Sequence, residues 1–256
     1  MSPLAHRIVK ELTLPMKRRS FADRVGLLPL MDDIHCFECS AVIEAAGALG
    51  ADINNNRRPL ERFAFLPAPK TWIEWQPPNM RSEGGRIGCL LIENGDHADV
   101  LLAFAADGQF ASSRALIELP LHGSSDLGSF RYAGEISEQQ AFEYMAMLYA
   151  LLAMINTPRV IGRTTHMPNS GLQRALAKAR GMIGKFPHHA WTEVKLKVRP
   201  PVEEDGDEVI YLTGSRALHF VRQHLRIRRG QLELVTSHWR GDPSLGIKQS
   251  RYILVP

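Results

Sequence analysis

The sequence predicts an α+β fold, mainly an antiparallel sheet with a buried central helix and an N-terminal helical segment. Short apolar runs rich in strand formers follow one another between residues 71 and 121. Two of these runs are joined by "NGDH", and an Asn-Gly pair between apolar runs is a strong hairpin signal. A long apolar stretch of helical character comes next, and a cationic segment with alternating polar and apolar residues closes the chain.

The composition is that of an ordinary folded protein. The 256 residues are 45% hydrophobic and carry a net charge of +4. The longest apolar run, Tyr144–Ile155, is shorter than the roughly 20 residues that span a bilayer, and the N-terminus shows no secretory signal. The sequence therefore predicts a cytoplasmic protein without a membrane partner.

Two parts of the chain are predicted: an N-terminal helical segment over residues 1–60 and an α+β domain over residues 61–256, with one continuous domain as the alternative. A weak capping signal at Ser20 and Asp23 predicts one short helix in the first part. A second helix is predicted over Met31–Leu49.

The sequence "HCFEC" contains a CxxC pair, Cys36 and Cys39, within this second helical pattern. No other cysteine pair stands at zinc-binding spacing, so we expect buried thiols that pack rather than bind metal. The odd number of cysteines also gives no reason to expect a disulfide framework.

The central elements follow from apolar patterning. Ser137 and Gln140 form a capping-box pattern that predicts the start of the buried helix, which is expected to end at Asn156 because Pro158 prevents its continuation. The predicted strands before it are Thr71–Gln76, Arg86–Glu93, Ala98–Ala106 and Ala115–Leu121.

The C-terminal third is predicted to hold a cationic helix over residues 170–184, an extended segment over 191–198 and an acidic loop over 200–208. The last forty residues are predicted to form a cationic antiparallel meander of three strands, with turns at "RRGQ" and "RGDPSLG". A helix over Arg216–Arg226 is the alternative, since apolar residues there also occur at helical spacing.

Positive charge is concentrated in this closing region, where residues 211–256 contain eight basic and two acidic residues. Strand alternation predicts one cationic face consisting of Phe220, Arg222, His224, Arg226 and Arg228. Guanidinium groups bind phosphate or carboxylate through paired hydrogen bonds, and Trp239 is placed either to stack on a base or to fill a core corner. The predicted nucleic-acid or partner-binding residues are Arg222, His224, Arg226, Arg228, Trp239 and Arg240.

The histidines of this region leave an enzymatic alternative open. If His219, His224 and His238 approach one another, they would suit metal-free phosphodiester cleavage, with one imidazole as base and another as acid. His219 and His224 diverge, so no metal site is predicted. No nucleotide-binding or hydrolase motif is present, and no cofactor is expected.

Several segments of the sequence resemble a family found in phages, prophages and plasmids. They are "ALHFVRQHLRIR", "SHWRGD" and "YILVP" near the C-terminus, "LPAPKTWIEW" at Leu66–Trp75 and "MINTPRV" at Met154–Val160. That family is similar to the anti-CRISPR inhibitors directed at the type V-A effector nuclease, which lower effector production through its nascent chain and message. The resemblance implies a mobile-element regulator acting in the host cytoplasm on RNA, a nascent polypeptide or a ribosome-associated complex. It carries over no catalytic residues.

A non-enzymatic regulator that binds RNA or protein is therefore the first functional hypothesis. The second is a metal-free ribonuclease that uses the C-terminal histidines and arginines. The third is a phage structural or assembly protein whose basic face contacts a neighbouring subunit.

Overall fold

The structure is a computed structural model that describes residues 2–31, 34–51, 60–80, 84–107, 109–124, 130–166, 171, 191–197, 217–228 and 231–247. The chain divides into two compact units, Met1–Lys197 and Val198–Pro256. The first unit joins residues of the predicted helical segment to the predicted sheet, since a strand from the first sixty residues pairs within that sheet.

The first unit is built on one eight-stranded sheet. Its strands are β1 (His35–Glu38), β2 (Lys70–Trp75), β3 (Arg86–Asn94), β4 (His97–Ala106), β5 (Gln109–Pro120), β6 (Arg131–Ala133), β7 (Ile161–His166) and β8 (Trp191–Leu196). The strand order is β6-β5-β4-β3-β2-β1-β8-β7, in which β1 runs parallel to β2 and β8 and all other pairings are antiparallel. The prediction of a mixed fold with a mainly antiparallel sheet is confirmed.

The four strands predicted between residues 71 and 121 are present as β2 to β5. The Asn-Gly hairpin is confirmed, because Asn94 pairs with His97 across the turn and Gly95 between them adopts a φ of 67°. The predicted extended segment over 191–198 is β8, whereas β7 was not predicted.

The predicted helix Met31–Leu49 is wrong in its first half, where β1 occupies His35–Glu38 and the helix begins only at Ile43. Cys36 and Phe37 are buried, with β2 on one side of them and β8 on the other. Two flanking strands from distant parts of the chain satisfy the β1 backbone, and this long-range pairing outweighs the local helical pattern.

The weak capping signal at Ser20 and Asp23 does not begin a helix. Asp23 instead accepts hydrogen bonds from the backbone N–H groups of Leu27 and Leu28, which open a short 3₁₀ turn. Ser20 bonds the carboxylate of Glu11 through both its N–H and its hydroxyl. Local side-chain bonds here stabilise turns rather than an α-helix.

Three helices are described in the first unit, α1 (Pro3–Glu11), α2 (Ile43–Ala51) and α3 (Glu138–Ile155). The capping box that begins α3 at Ser137 and Gln140 is confirmed. α3 is buried along most of its second half, and its Tyr149 hydroxyl donates to the backbone carbonyl of Pro120 in β5. α1 contributes Leu4, Ile8 and Val9 to a separate apolar cluster with Trp72 and Leu90 from the sheet.

The second unit is described through five short strands: β9 (Ala217–Val221), β10 (His224–Arg228), β11 (Gln231–Val235), β12 (His238–Arg240) and β13 (Asp242–Ile247). β10 pairs with β11 and β9 pairs with β12, both antiparallel, whereas β13 runs parallel to β9. The strand prediction is therefore confirmed over the rival helix at Arg216–Arg226, as far as residues 217–226 show.

The predicted turn at "RGDPSLG" is wrong, because Asp242–Ile247 is a strand beside β9. The register of this strand with β9 shifts between Asp242 and Ile247. Such an irregularity accommodates the Pro and Gly residues that suggested a turn. The closing region is thus not a simple meander, since β13 runs parallel to β9 and a meander has only antiparallel pairings. Apart from Gly171, the cationic helix predicted over 170–184 lies outside the described residues, as does the acidic loop over 200–208.

Candidate nucleic-acid interface

β9 and β10 pair with β12 and β11 as the two arms of one long hairpin. Arg228 lies opposite Gln231 at the tip, which agrees with the turn predicted at "RRGQ". At the other end His219 lies opposite Arg240. The register is the same on both sides of a short interruption, where two residues in each arm separate the strands without any insertion.

The interruption has a local two-fold pattern that the sequence analysis missed. Val221-Arg222-Gln223-His224 in one arm faces Val235-Thr236-Ser237-His238 in the other, with His224 opposite Val235 and His238 opposite Val221. The Nδ1 of His224 lies 2.8 Å from the carbonyl oxygen of Arg222, and the Nδ1 of His238 lies 2.8 Å from that of Thr236. Because a carbonyl only accepts, both Nδ1 atoms carry a proton, and in a neutral ring Nε2 is then left as the acceptor.

The two faces of the hairpin differ in character. Leu225 is 2% exposed, and its neighbours Ile227, Leu232 and Leu234 on the same face are partly buried. The opposite face, which we call the cationic–aromatic face, comprises Phe220, Arg222, His224, Arg226, Arg228 and, across the hairpin, Trp239. Of these six residues His224 is partly buried and the rest are exposed, which agrees with the alternation expected of a strand.

An exposed aromatic pair lies near the open end of this face. Phe220 and Trp239 are directly opposite each other in the register, and their ring centroids are 5.4 Å apart in an edge-to-face arrangement. Phe220 is 49% exposed and Trp239 is 57% exposed, so Trp239 does not fill a core corner. Both aromatic residues therefore remain accessible to a flat ligand.

The arginines of this face are not equivalent. Arg226 donates from both Nε and Nη2 to one carboxylate oxygen of Glu233 across the hairpin, each at 2.9 Å. The expectation that Arg226 is available for anion contact is therefore weakened, because its charge is already matched. Arg228 and Arg240 are exposed and form no ion pair with any described residue.

The hairpin register separates His224 from the other two histidines, so the three do not share one face. The constant register assigns His224 to the cationic–aromatic face, whereas His238 and the partly buried His219 belong to the other face. Across the described residues, no group of three or more His, Cys, Asp and Glu side chains is arranged to hold a metal ion.

A second polar cluster, in the first unit, has a structural explanation. The carboxylate of Glu74 is 0% exposed and accepts hydrogen bonds from Ser2, Leu4, Ala5, Trp72 and Arg86. Arg86 also contacts Glu38, which lies beside Glu74 in the parallel register. Because these donors leave the Glu74 carboxylate fully engaged, the cluster stabilises the fold and offers no open site.

The three cysteines are confirmed as free buried thiols. Burial raises the pKa of Cys36 to about 12 and also raises the pKa of Cys39 and Cys89 above the ordinary thiol value. The nearby Glu38 and Glu74 carboxylates add to the rise in the pKa of Cys39. A protonated thiol is a poor nucleophile and a poor metal ligand, so the buried CxxC pair lacks the accessible, low-pKa thiol that redox chemistry uses.

Comparisons with protein-family models, curated proteins and solved structures find no match to this chain. Within the part of the chain that the structure describes, no helix is both long and apolar enough to cross a membrane.

Proposed function

We propose that this protein is a regulator that binds single-stranded RNA through the cationic–aromatic face of its C-terminal hairpin. The observation that carries the proposal is the exposed Phe220–Trp239 pair, on the same face of the hairpin as Arg222 and Arg228. The combination matters more than either part, because single-stranded nucleic acid offers both flat bases and a charged backbone.

Two physical terms would contribute to binding. A base stacked on an exposed aromatic ring contributes about 1–3 kcal/mol and tolerates any sequence. Each phosphate neutralised by an arginine adds an electrostatic term that weakens as salt rises. The register brings Trp239 directly opposite Phe220, and Arg222 is two residues from Phe220 on the same face. One nucleotide could therefore stack on a ring while its phosphate meets a guanidinium.

The broader role is proposed on the sequence resemblance of the C-terminal segment. In that role the protein is encoded by a mobile element and acts in the host cytoplasm, where it lowers production of a type V effector nuclease. RNA binding at the hairpin would give such a regulator access to the effector message. Binding of the nascent polypeptide instead of its message is the alternative within the same role.

The first experiment measures binding of labelled single-stranded RNA to purified protein over a salt series in EDTA, with the same samples run on a gel. We expect intact RNA and affinity that falls with salt. Trp239→Ala should weaken binding about tenfold without changing the salt dependence, since a base-stacking contact is lost but no charge is removed. Arg228→Ala should make the slope of log affinity against log salt shallower by about 0.7.

Phe65→Ala is the control, because Phe65 is an exposed aromatic residue, 49% exposed like Phe220, but lies in the first unit. The absence of RNA binding at low salt would overturn the proposal. If the protein bound effector peptides but not RNA, the result would support recognition of the nascent polypeptide instead. RNA cleavage in EDTA, abolished by His224→Ala or His238→Ala, would favour the ribonuclease. A salt-stable oligomer without RNA affinity would favour an assembly protein.

A further inference from the structure

A second cationic surface lies in the first unit, on the loop that follows α1. The loop, residues 12–19, is closed at its base by the buried carboxylate of Glu11. One oxygen of Glu11 accepts hydrogen bonds from the backbone N–H groups of Ser20 and Phe21, at 2.6 and 3.2 Å. The other accepts from the Ser20 hydroxyl at 2.9 Å. Because Glu11 ends α1, these bonds attach the returning chain to the helix.

The loop itself is held by internal hydrogen bonds. Thr13 donates to the carbonyl of Lys10 from both its N–H and its hydroxyl, and a 3₁₀ turn covers Met16–Arg18. The Nε of Arg19 donates to the carbonyl of Leu14 across the loop. Met16, at the tip, is 81% exposed. The loop therefore presents its tip to solvent from a defined backbone.

Almost all of the solvent-exposed charged groups in this region are positive. Its two carboxylates, Glu11 and Asp23, both bind backbone N–H groups. None of the region's Lys and Arg side chains forms an ion pair with a described carboxylate. Apart from Arg19, which is partly buried, all of them are exposed. These residues, which we call the N-terminal basic surface, are Arg7, Lys10, Lys17, Arg18, Arg19 and Arg24.

Contacts with β5 place both ends of this surface side by side. The guanidinium of Arg7 lies 4.0 Å from the centroid of the Phe110 ring. Phe21, on the returning chain, packs its ring edge-to-face on the same Phe110 at 4.9 Å. The backbone N–H of Arg24 donates to the hydroxyl of Ser112, two residues further along β5. The exposed face of α1 and the chain that returns from the loop are thus neighbours.

We infer that the N-terminal basic surface is a second RNA-binding surface, which contacts the phosphate backbone. Four of its six cations are arginines, whose forked guanidinium groups match phosphate oxygens better than ammonium groups do. The choice of RNA as the polyanion rests on the proposed function. An anionic membrane is less well supported, since Met16 is the one large hydrophobic side chain among the described residues 12–19 that is exposed.

The test compares two double variants in the salt series used for single-stranded RNA. Lys17→Ala/Arg18→Ala removes two cations from the loop, and Arg62→Ala/Arg159→Ala removes two exposed cations from elsewhere in the same unit. Both variants have the same net charge, so any difference between them reports position. Equal thermal midpoints would show that both variants fold.

If the two loop side chains each contact a phosphate, their removal should make the slope of log affinity against log salt shallower by about 1.4. Affinity at about 0.1 M salt should fall roughly twentyfold. The Arg62/Arg159 variant should bind like the wild type. Binding by the loop variant that equals the control would overturn the inference.

The outcomes separate this inference from the proposed function. Loss of binding in Trp239→Ala but not in the loop variant would leave the hairpin proposal standing alone. The reverse result would support the basic surface and overturn the hairpin site, while no RNA binding by the wild type would overturn both. Wild-type binding to vesicles rich in phosphatidylglycerol, lost in a loop variant that still binds RNA normally, would identify a membrane surface instead.

Discussion

The indole Nε1 of Trp72 donates a 2.9 Å hydrogen bond to the carboxylate of Glu74, and both side chains are 0% exposed. The same carboxylate accepts from the N–H groups of Leu4 and Ala5 in the first turn of α1, where unpaired donors would otherwise remain. Arg86 supplies a compensating positive charge at 2.8 Å. One buried glutamate therefore joins α1 to the sheet, and α1 carries Arg7 and Lys10 of the N-terminal basic surface.

Glu74→Gln should destabilise the first unit by about 3 kcal/mol, because it removes one partner of a buried ion pair and leaves Arg86 with Glu38 alone. The glutamine amide also has only one acceptor oxygen, whereas the donors in the native protein share the two oxygens of the Glu74 carboxylate. Chemical denaturation measures the change in the free energy of unfolding. Glu135→Gln, at an exposed pair with Arg114, is the control and should change stability by less than about 1 kcal/mol.

Gly88 is predicted to be indispensable for this arrangement. A Cβ atom at Gly88 would lie 2.1 Å from the Trp72 ring, closer than any real contact, so Gly88→Ala must displace the indole that bonds Glu74. We expect a loss of about 3 kcal/mol in unfolding free energy and a changed near-UV dichroism. Gly47→Ala, where the nearest atom is 3.9 Å away and the residue lies within α2, should be neutral or stabilising.

The elements that depend on a few adjacent residues could be predicted from the sequence. The Asn94–His97 turn and the capping box at Ser137 and Gln140 could be predicted because a few adjacent residues determine them. β1 could not be predicted, because its hydrogen bonds come from β2 and β8, which are distant in sequence. The Glu74 cluster is equally non-local, since it collects donors from α1, β2 and β3.

The candidate interface was predictable in part for the same reason. Alternation alone assigned Phe220 and the arginines to one face, and burial of Leu225 agrees with it. The Arg226–Glu233 ion pair and the opposition of Phe220 and Trp239 depend on the hairpin register. The N-terminal basic surface went unnoticed because the sequence does not show that Glu11 and Asp23 bind backbone groups.

The thiols should be unreactive in the native protein. Burial raises the pKa of Cys36 to about 12 and leaves Cys36, Cys39 and Cys89 0% exposed, so neither thiolate nor access is available at neutral pH. A thiol-reactive chromophore should therefore label no cysteine in native protein and all three in guanidinium chloride. Raising the pH to about 9 should not speed native labelling unless the protein unfolds, and fast labelling of Cys36 or Cys39 in native protein would contradict the burial.

Glu233→Gln should increase the affinity of the hairpin for single-stranded RNA. The substitution removes the negative charge opposite Arg226 and so releases the Arg226 guanidinium, which donates twice to Glu233 in the native protein. If Arg226 then contacts a phosphate, the slope of log affinity against log salt should become steeper by about 0.7, with the largest gain at low salt. Anisotropy titrations over the salt series measure both quantities.

Glu135→Gln again supplies the control, since it changes net charge equally but frees an arginine in the first unit. A gain confined to Glu233→Gln would show that the hairpin face contacts RNA directly. Equal gains in both variants would mean that net charge alone governs binding, and this result would count against a defined site. The double variant Glu233→Gln/Arg226→Ala should lose the gain, because Arg226 is the group that the first substitution is expected to release.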